Sequence, residues 1–300
     1  MPHKRSIHAV LLTWLLVPLL VAGSGIPKGS IAFVAEHDGG LHYVELPSGS
    51  IHKVAFTQSN VSDLAYSRER QQLAFFASKS HGLGQSLYLL DVSTGRTTVL
   101  LSSKANLREL YRPAFDPSGQ YLYALNYSNG IYRYSFKSRQ WSPVQVVGRQ
   151  QLNPQGLSFS RSGLKAAITH GRFVGLLVAE VADAGLRIER EVLSDFESVT
   201  SPHWLDEENI VFAGRKRAGP QFLWKINLGS GAVEQLTDGP IGARDFLAIS
   251  ADSKSIVFTG TSEDQPLEWR LWEISLEKHA PVQLTRGGKL SSHLFPTFIE

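Results

Sequence analysis

Short apolar runs recur along the chain with polar punctuation between them. Residues 86–91 read SLYLLD, 121–127 YLYALNY, 130–136 GIYRYSF, 255–260 SIVFTG and 270–276 RLWEISL. These runs either alternate or are apolar throughout, and Gly, Ser, Asn or Asp part them. That pattern predicts short strands rather than helices. Long helical patterns are absent after residue 25.

The runs repeat in phase. A small-plus-aromatic strand appears as LAYS, PAFD, LSFS, PHWL, LAIS and PTFI. Its aligned residues are Tyr66, Phe115, Phe159, Trp204, Ile249 and Phe298, spaced by 44 to 49 residues. A second strand begins near Ile31, Gln72, Tyr121, Lys165, Asn209 and Ser255. A third begins near Leu41, Ser86, Ile131, Gly175, Gln221 and Trp269. Asp38-Gly39-Gly40, Asp116-Pro117-Ser118-Gly119 and Ser128-Asn129-Gly130 supply turns between them. Four strands in a unit of about 45 residues is the arithmetic of a propeller blade. The fold class expected is all-β, a six-bladed β-propeller with four antiparallel strands per blade.

The two ends complement each other. The strand pattern begins with a second strand, IAFVAE, and finishes with a first strand in SSHLFPTFIE. Residues 293–299 are therefore expected to pair with the N-terminal blade and close the ring. Closure removes two sheet edges that would otherwise invite aggregation.

The first residues follow a different pattern. Lys4 and Arg5 precede an apolar run from Ala9 to Val21, and Ala22-Gly23-Ser24-Gly25 follow. This is the form of a secretory signal peptide, with cleavage expected at Gly23–Ser24. The run is shorter than the roughly 20 residues that span hydrocarbon comfortably. The domain reading is a signal peptide over 1–23 and one propeller over 24–300. The chain has no Cys, which excludes thiol catalysis, thiolate metal sites and lipid attachment through a Cys. Net charge is +3, and removing residues 1–23 leaves 28 basic against 27 acidic side chains. That balance gives no reason to expect nucleic acid as a partner. No other apolar stretch approaches 18 residues, so no membrane insertion is expected after cleavage. A monomer is expected.

The unit also carries a recognisable motif. Gln235-Leu236-Thr237-Asp238-Gly239-Pro240 is followed by Leu247-Ala248-Ile249-Ser250-Ala251-Asp252-Ser253 and then Ile256-Val257-Phe258. Val282-Gln283-Leu284-Thr285-Arg286-Gly287-Gly288 with Pro296-Thr297-Phe298 is a second copy, and residues 111–119 are a third. This resembles the repeat of TolB-type propellers, Q-L-T followed by a Gly-rich turn and P-x-F-S-P-D-G. The resemblance covers residues 29–299 and implies a propeller-only relative without the TolB N-terminal domain. Three blades depart from the S-P-D-G turn: Ser67-Arg68-Glu69-Arg70, Ser160-Arg161-Ser162-Gly163 and Leu205-Asp206-Glu207-Glu208.

Catalytic signatures are not apparent. Gly156-Leu157-Ser158-Phe159-Ser160 lacks the second Gly of a nucleophile elbow. The ten His form neither H-x-H nor H-E-x-x-H. No cofactor is identified. The residues just before the aligned aromatics are Ala65, Ala114, Ser158, His203, Ala248 and Thr297. Five are small, which suits crowding near an axis, so His203 is expected to project toward the channel. With His293, near an inner strand two blades away, it is the candidate pair for an ion. Loops entering the inner strands carry Asp63, Arg108, Glu109, Arg112, Gln155, Arg244, Asp245 and His293. The expected channel-mouth binding surface is Asp63, Arg112, Gln155, His203, Arg244, Asp245 and His293.

The function expected is a non-catalytic periplasmic scaffold that binds a protein, a peptide or another ligand. One alternative is a metal-assisted carbohydrate-active enzyme, a polysaccharide lyase or lactonase-like hydrolase. The other is a membrane-anchored sensor module that retains residues 9–22.

Overall fold

The computed structural model describes residues 25–300 apart from 79–83, 104–106, 108, 127–129, 150–151, 172–174, 184, 218, 239–240, 263–264 and 287–291. The signal segment, Arg108 and the Ser128-Asn129 turn lie outside the described residues. The strands form six small sheets arranged as a propeller. Blade 1 contains β1 (Ser30–Ala35), β2 (Gly40–Glu45) and β3 (Ile51–Lys53). Blade 2 holds β4 (Ser59–Ser67), β5 (Gln72–Ser78), β6 (Ser86–Asp91) and β7 (Thr97–Leu101). Blade 3 holds β8 (Leu110–Phe115), β9 (Tyr121–Asn126), β10 (Gly130–Ser135) and β11 (Gln140–Pro143). Blade 4 holds β12 (Gln145–Val147), β13 (Pro154–Phe159), β14 (Lys165–His170), β15 (Leu176–Ala182) and β16 (Gly185–Val192). Blade 5 holds β17 (Ser198–Trp204), β18 (Asn209–Arg215), β19 (Phe222–Asn227) and β20 (Val233–Gln235). Blade 6 holds β21 (Gly242–Ile249), β22 (Ser255–Ser262), β23 (Gln265–Ser275) and β24 (Pro281–Gln283), and β25 (His293–Ile299) completes blade 1.

Two details differ from the four-strand expectation. β12 leaves blade 3 and pairs parallel with β16, giving blade 4 a fifth strand. β23 begins at Gln265 rather than near Trp269, because the β22–β23 hairpin is longer than in the other blades.

The apolar runs make sense once both faces of each blade are considered. β5 is buried from Leu73 onward: Leu73, Phe75 and Ala77 face blade 1, whereas Ala74 and Phe76 face blade 3. A strand covered on both sides loses polar alternation and becomes a continuous apolar run. Six apolar clusters fill the six gaps between neighbouring blades. Trp204, Trp224 and Trp272 lie in these clusters.

The Q-L-T motif has a hydrogen-bonding reason. Thr237 Oγ1 accepts the Leu223 N–H at 3.0 Å, and Gln235 Nε2 donates to the Thr237 carbonyl at 2.7 Å. Thr285 and Gln283 repeat the arrangement one blade later with the Leu271 N–H. The degenerate turns also have a role. Arg70 donates to the Gly119 carbonyl and lies 3.6 Å over Phe136 in blade 3. The Ser162 N–H and hydroxyl both donate to the Glu207 carboxylate of blade 5, at 2.8 and 2.9 Å. Residues that break the S-P-D-G pattern thus tie adjacent blades together.

Closure follows the expected route. β25 pairs antiparallel with β1, with Ser30 opposite Ile299 and Ala35 opposite His293. Glu300 continues the seam: its carboxylate accepts the Ala251 N–H of blade 6, and its main-chain oxygen accepts the Tyr66 hydroxyl of blade 2. Ile299 is fully buried between blades 1 and 2. Ile299→Ala is expected to lower unfolding free energy by about 2–5 kcal/mol in urea titrations. A loss below ~0.5 kcal/mol would contradict closure through this strand.

Candidate functional site

Six inner strands, β4, β8, β13, β17, β21 and β25, surround a central cavity of about 360 Å³. The predicted small residues Ala65, Ala114, Ser158, Ala248 and Thr297 line it, and so does His203. Small side chains permit six backbones to approach one axis, and the one large polar exception faces the open space.

Every inner strand carries a β-bulge near the same level. Its ladder slips between Ser62 and Ala65, Tyr111 and Ala114, Pro154 and Gly156, Thr200 and His203, Ala243 and Leu247, and Leu294 and Thr297. Asp63, Arg112, Ser201 and Phe295 occupy equivalent places and have φ of 55°, 46°, 46° and 54°. Left-handed backbone costs a non-glycine residue about 1–2 kcal/mol, and such strain concentrates where a side chain is being aimed. Pro113, Pro202 and Pro296 each follow one of these residues. Proline has no N–H to contribute to a ladder, so it suits the point where the ladder breaks. Gly156 serves blade 4: a Cβ there would lie 2.7 Å from Thr169 Oγ1 and 3.1 Å from Pro202 Cδ.

The bulges give the mouth two unlike halves. On blades 2 to 4, Arg112 stands beside Asp63 and donates to the Gln155 carbonyl. Burial pushes the Asp63 carboxyl above the usual carboxylate range. The Arg112 charge, the Ser62 hydroxyl and the Arg112 N–H oppose that shift. Gln155 Nε2 donates to Asn153 Oδ1 at 2.9 Å. On blades 6 and 1, the Phe246 and Phe295 rings lie with centroids 3.9 Å apart. Sequence reasoning did not single out this aromatic pair. The prolines within predicted inner strands were the available signal for the bulges.

Arg244 and Asp245 fall within the bulged part of β21, and their side chains lie outside the described residues. His203 sits in the channel wall with Nδ1 3.2 Å from the Ser201 carbonyl. Burial lowers its pKa below the usual imidazole value, and the Ser201 contact raises it in part.

His293 does not join it. It is buried between blades 1 and 6, with Nδ1 2.8 Å from Thr285 Oγ1 and its ring 4.7 Å from Phe33. The sequence placed it near an inner strand, but its position just before the bulge turns it into the wall. The expected His203–His293 ion pair of ligands is therefore not assembled. Among the described residues, no group of three or more His, Asp or Glu is arranged to hold a metal ion.

A family model described as the lipoprotein LpqB β-propeller domain matches residues 44–282. No curated protein matches the sequence. Among solved structures, TolB from Acinetobacter baumannii is similar with TM-score 0.72 and 15% identity, over 91% of this chain and 68% of that one. A nidogen–laminin complex is similar with TM-score 0.65 and 11% identity, over 90% and 98%. An oligogalacturonate lyase in complex with manganese gives TM-score 0.51 and 11% identity, over 87% and 73%.

The buried histidine makes stability depend on pH. Desolvation, then the charges of Arg270, His42 and His37, lower the His293 pKa from 6.5 to about 4. The unfolded chain thus binds a proton that the folded chain refuses, and stability falls as pH drops from 6.5 toward 4. His42 is shifted in the same direction by burial, against the pull of Asp38. The loss through His293 should reach about 3 kcal/mol by pH 4. Urea titrations across this range should show a shallower slope for His293→Asn. An unchanged slope would remove His293 as the cause.

Proposed function

This chain belongs to the lipoprotein LpqB β-propeller domain family, and we propose that it is an exported, non-catalytic binding protein. It takes a segment of a partner protein at the bulged mouth of its channel. The observation that carries this reading is the mouth itself. Three strained, non-glycine residues take part in it: Asp63 and Arg112 form a charged half, opposite an aromatic half in which Phe295 meets Phe246. Arg and aromatic side chains dominate the energetics of protein interfaces, because each offers large area together with directional contacts. Rigid inter-blade packing keeps the two halves in register, so little ordering cost falls on the propeller when it binds. The nidogen–laminin structure is a propeller relative in fold captured as a protein complex, which agrees with a protein occupant.

The basic start, apolar run and small residues at the N-terminus support a role outside the cytoplasm. With no Cys in the sequence, the lipid of the family's description has no thiol to attach to, and a freely diffusing periplasmic protein is the form proposed. Intact mass of the protein recovered from cells should correspond to a chain starting near Ser24. A mass that includes residues 1–23 would instead favour the anchored form.

Binding at the mouth can be tested by substituting residues whose backbone already suits glycine. Arg112→Gly and Phe295→Gly remove the side chains at left-handed positions where glycine is unstrained. Immobilised wild-type protein is expected to retain a periplasmic protein, with the double variant retaining at least ~tenfold less. Arg161→Glu, on an exposed turn at the opposite end of the channel, should retain it fully. Equal retention by wild-type and double variant, or no retention by either, would overturn the reading.

A further inference from the structure

The aromatic side of the mouth continues down the channel. Six aromatic side chains line the cavity: Tyr66, Phe115, Phe159, Phe246, Phe295 and Phe298. His203 stands among them. Its Nδ1 lies 3.2 Å from the Ser201 carbonyl, which can only accept, so Nδ1 carries the proton. In the neutral ring, Nε2 is then an acceptor. Nothing among the described residues bonds to it. Ser158, the equivalent residue of the neighbouring blade, lines the same cavity, and its Oγ is buried without a hydrogen-bond partner.

We infer that the middle of the channel is a binding subsite for a phenolic ring, whose hydroxyl donates to His203 Nε2. The inference rests on the reading that the channel admits a ligand, and adds a chemical class to it. The alternatives fit less well. A sugar brings several hydroxyls, and most would be buried against aromatic walls without partners. A lone ammonium or carboxylate would meet Asp63 and Arg112, which already stand beside each other at the mouth. A plain hydrocarbon would fill the aromatic space but leave Nε2 unpaired and dehydrated, which is unfavourable. A phenol satisfies both: its ring lies against the aromatic side chains, and its one hydroxyl meets the acceptor. The cavity, about 360 Å³, accommodates one substituted ring. Ser158 Oγ can then donate to the phenol oxygen, which completes the hydrogen bonds of all three groups.

The test compares two probes that differ by one hydroxyl. Binding of p-cresol and toluene to the full-length protein is measured by ligand-observed NMR. Wild-type protein should bind p-cresol saturably and at least ~tenfold more tightly than toluene. His203→Leu should abolish the difference, His203→Gln, which keeps an acceptor, should retain most of it, and Ser158→Ala should weaken p-cresol severalfold. Equal affinity for both probes, no binding of either, or undiminished discrimination by His203→Leu would overturn the subsite. Two capped tripeptides, Gly-Tyr-Gly and Gly-Phe-Gly, separate the sources of the phenol. A preference for the tyrosine peptide assigns the subsite to a protein side chain, and p-cresol binding without it assigns a free phenol. The probes are read on the purified protein with no partner present, and Arg161→Glu, on the exposed turn at the opposite end of the channel, should leave p-cresol affinity unchanged, so failure of protein capture at the mouth and failure of this subsite remain distinguishable.

Discussion

A ring of sheets is stable only if its last sheet meets its first. Each blade here buries apolar side chains on both faces, so an open arc would leave two such faces in water. The pairing of β25 with β1 prevents that. It places Ile299 between blades 1 and 2, and it brings Phe298 to the cluster between blades 6 and 1. The Glu300 carboxylate then receives the Ala251 N–H, while its main-chain oxygen receives Tyr66. One strand therefore serves two of the six interfaces. With no Cys in the chain, no disulfide shares this task, and closure rests on hydrogen bonding and packing.

Closure also sets the conditions at the axis. Six strands that converge on one line must be small where they come closest, which explains Ala65, Ala114, Ser158, Ala248 and Thr297. Crowding further along the strands is met by bulges, which bend each inner strand and twist it away from its ladder. The same bulges turn Asp63, Arg112 and Phe295 toward the channel at a backbone cost. The mouth is thus shaped by a packing requirement, and the two unlike halves arise from which side chains occupy equivalent places.

Legibility in the sequence followed locality. The period, the strand starts from Gln72 to Ser255 and the closing strand were readable because each depends on a short pattern that recurs in phase. The ring of small residues was readable for the same reason, and so was the inward direction of His203. β12 was not, since its parallel pairing with β16 depends on a partner about 40 residues further along the chain, at the outer edge of blade 4. The Phe246–Phe295 contact was hidden likewise, because it joins blades 6 and 1 across the ring's seam. His293 was misplaced by its neighbourhood: it begins an inner strand, but a position before the bulge faces the wall, where Thr285 and Phe33 meet it. The irregular turns looked like decay of the motif. Arg70, Ser162 and Glu207 instead join blades at those points, so departures from the consensus carried structural information.

That last observation bears on how the site is recognised. In a repeat protein, a residue kept in phase across blades is explained by the blade itself, and departures need a separate cause. Those on the turn face have one in the contacts between blades. His203 does not. Its aligned counterparts show that Ala, Ser or Thr satisfies the crowding, and an imidazole there gives up hydration while receiving one contact, from Ser201. An alanine would avoid that loss. The acceptor that the imidazole presents to the channel is the feature an alanine could not supply, and it marks the depth of the proposed subsite.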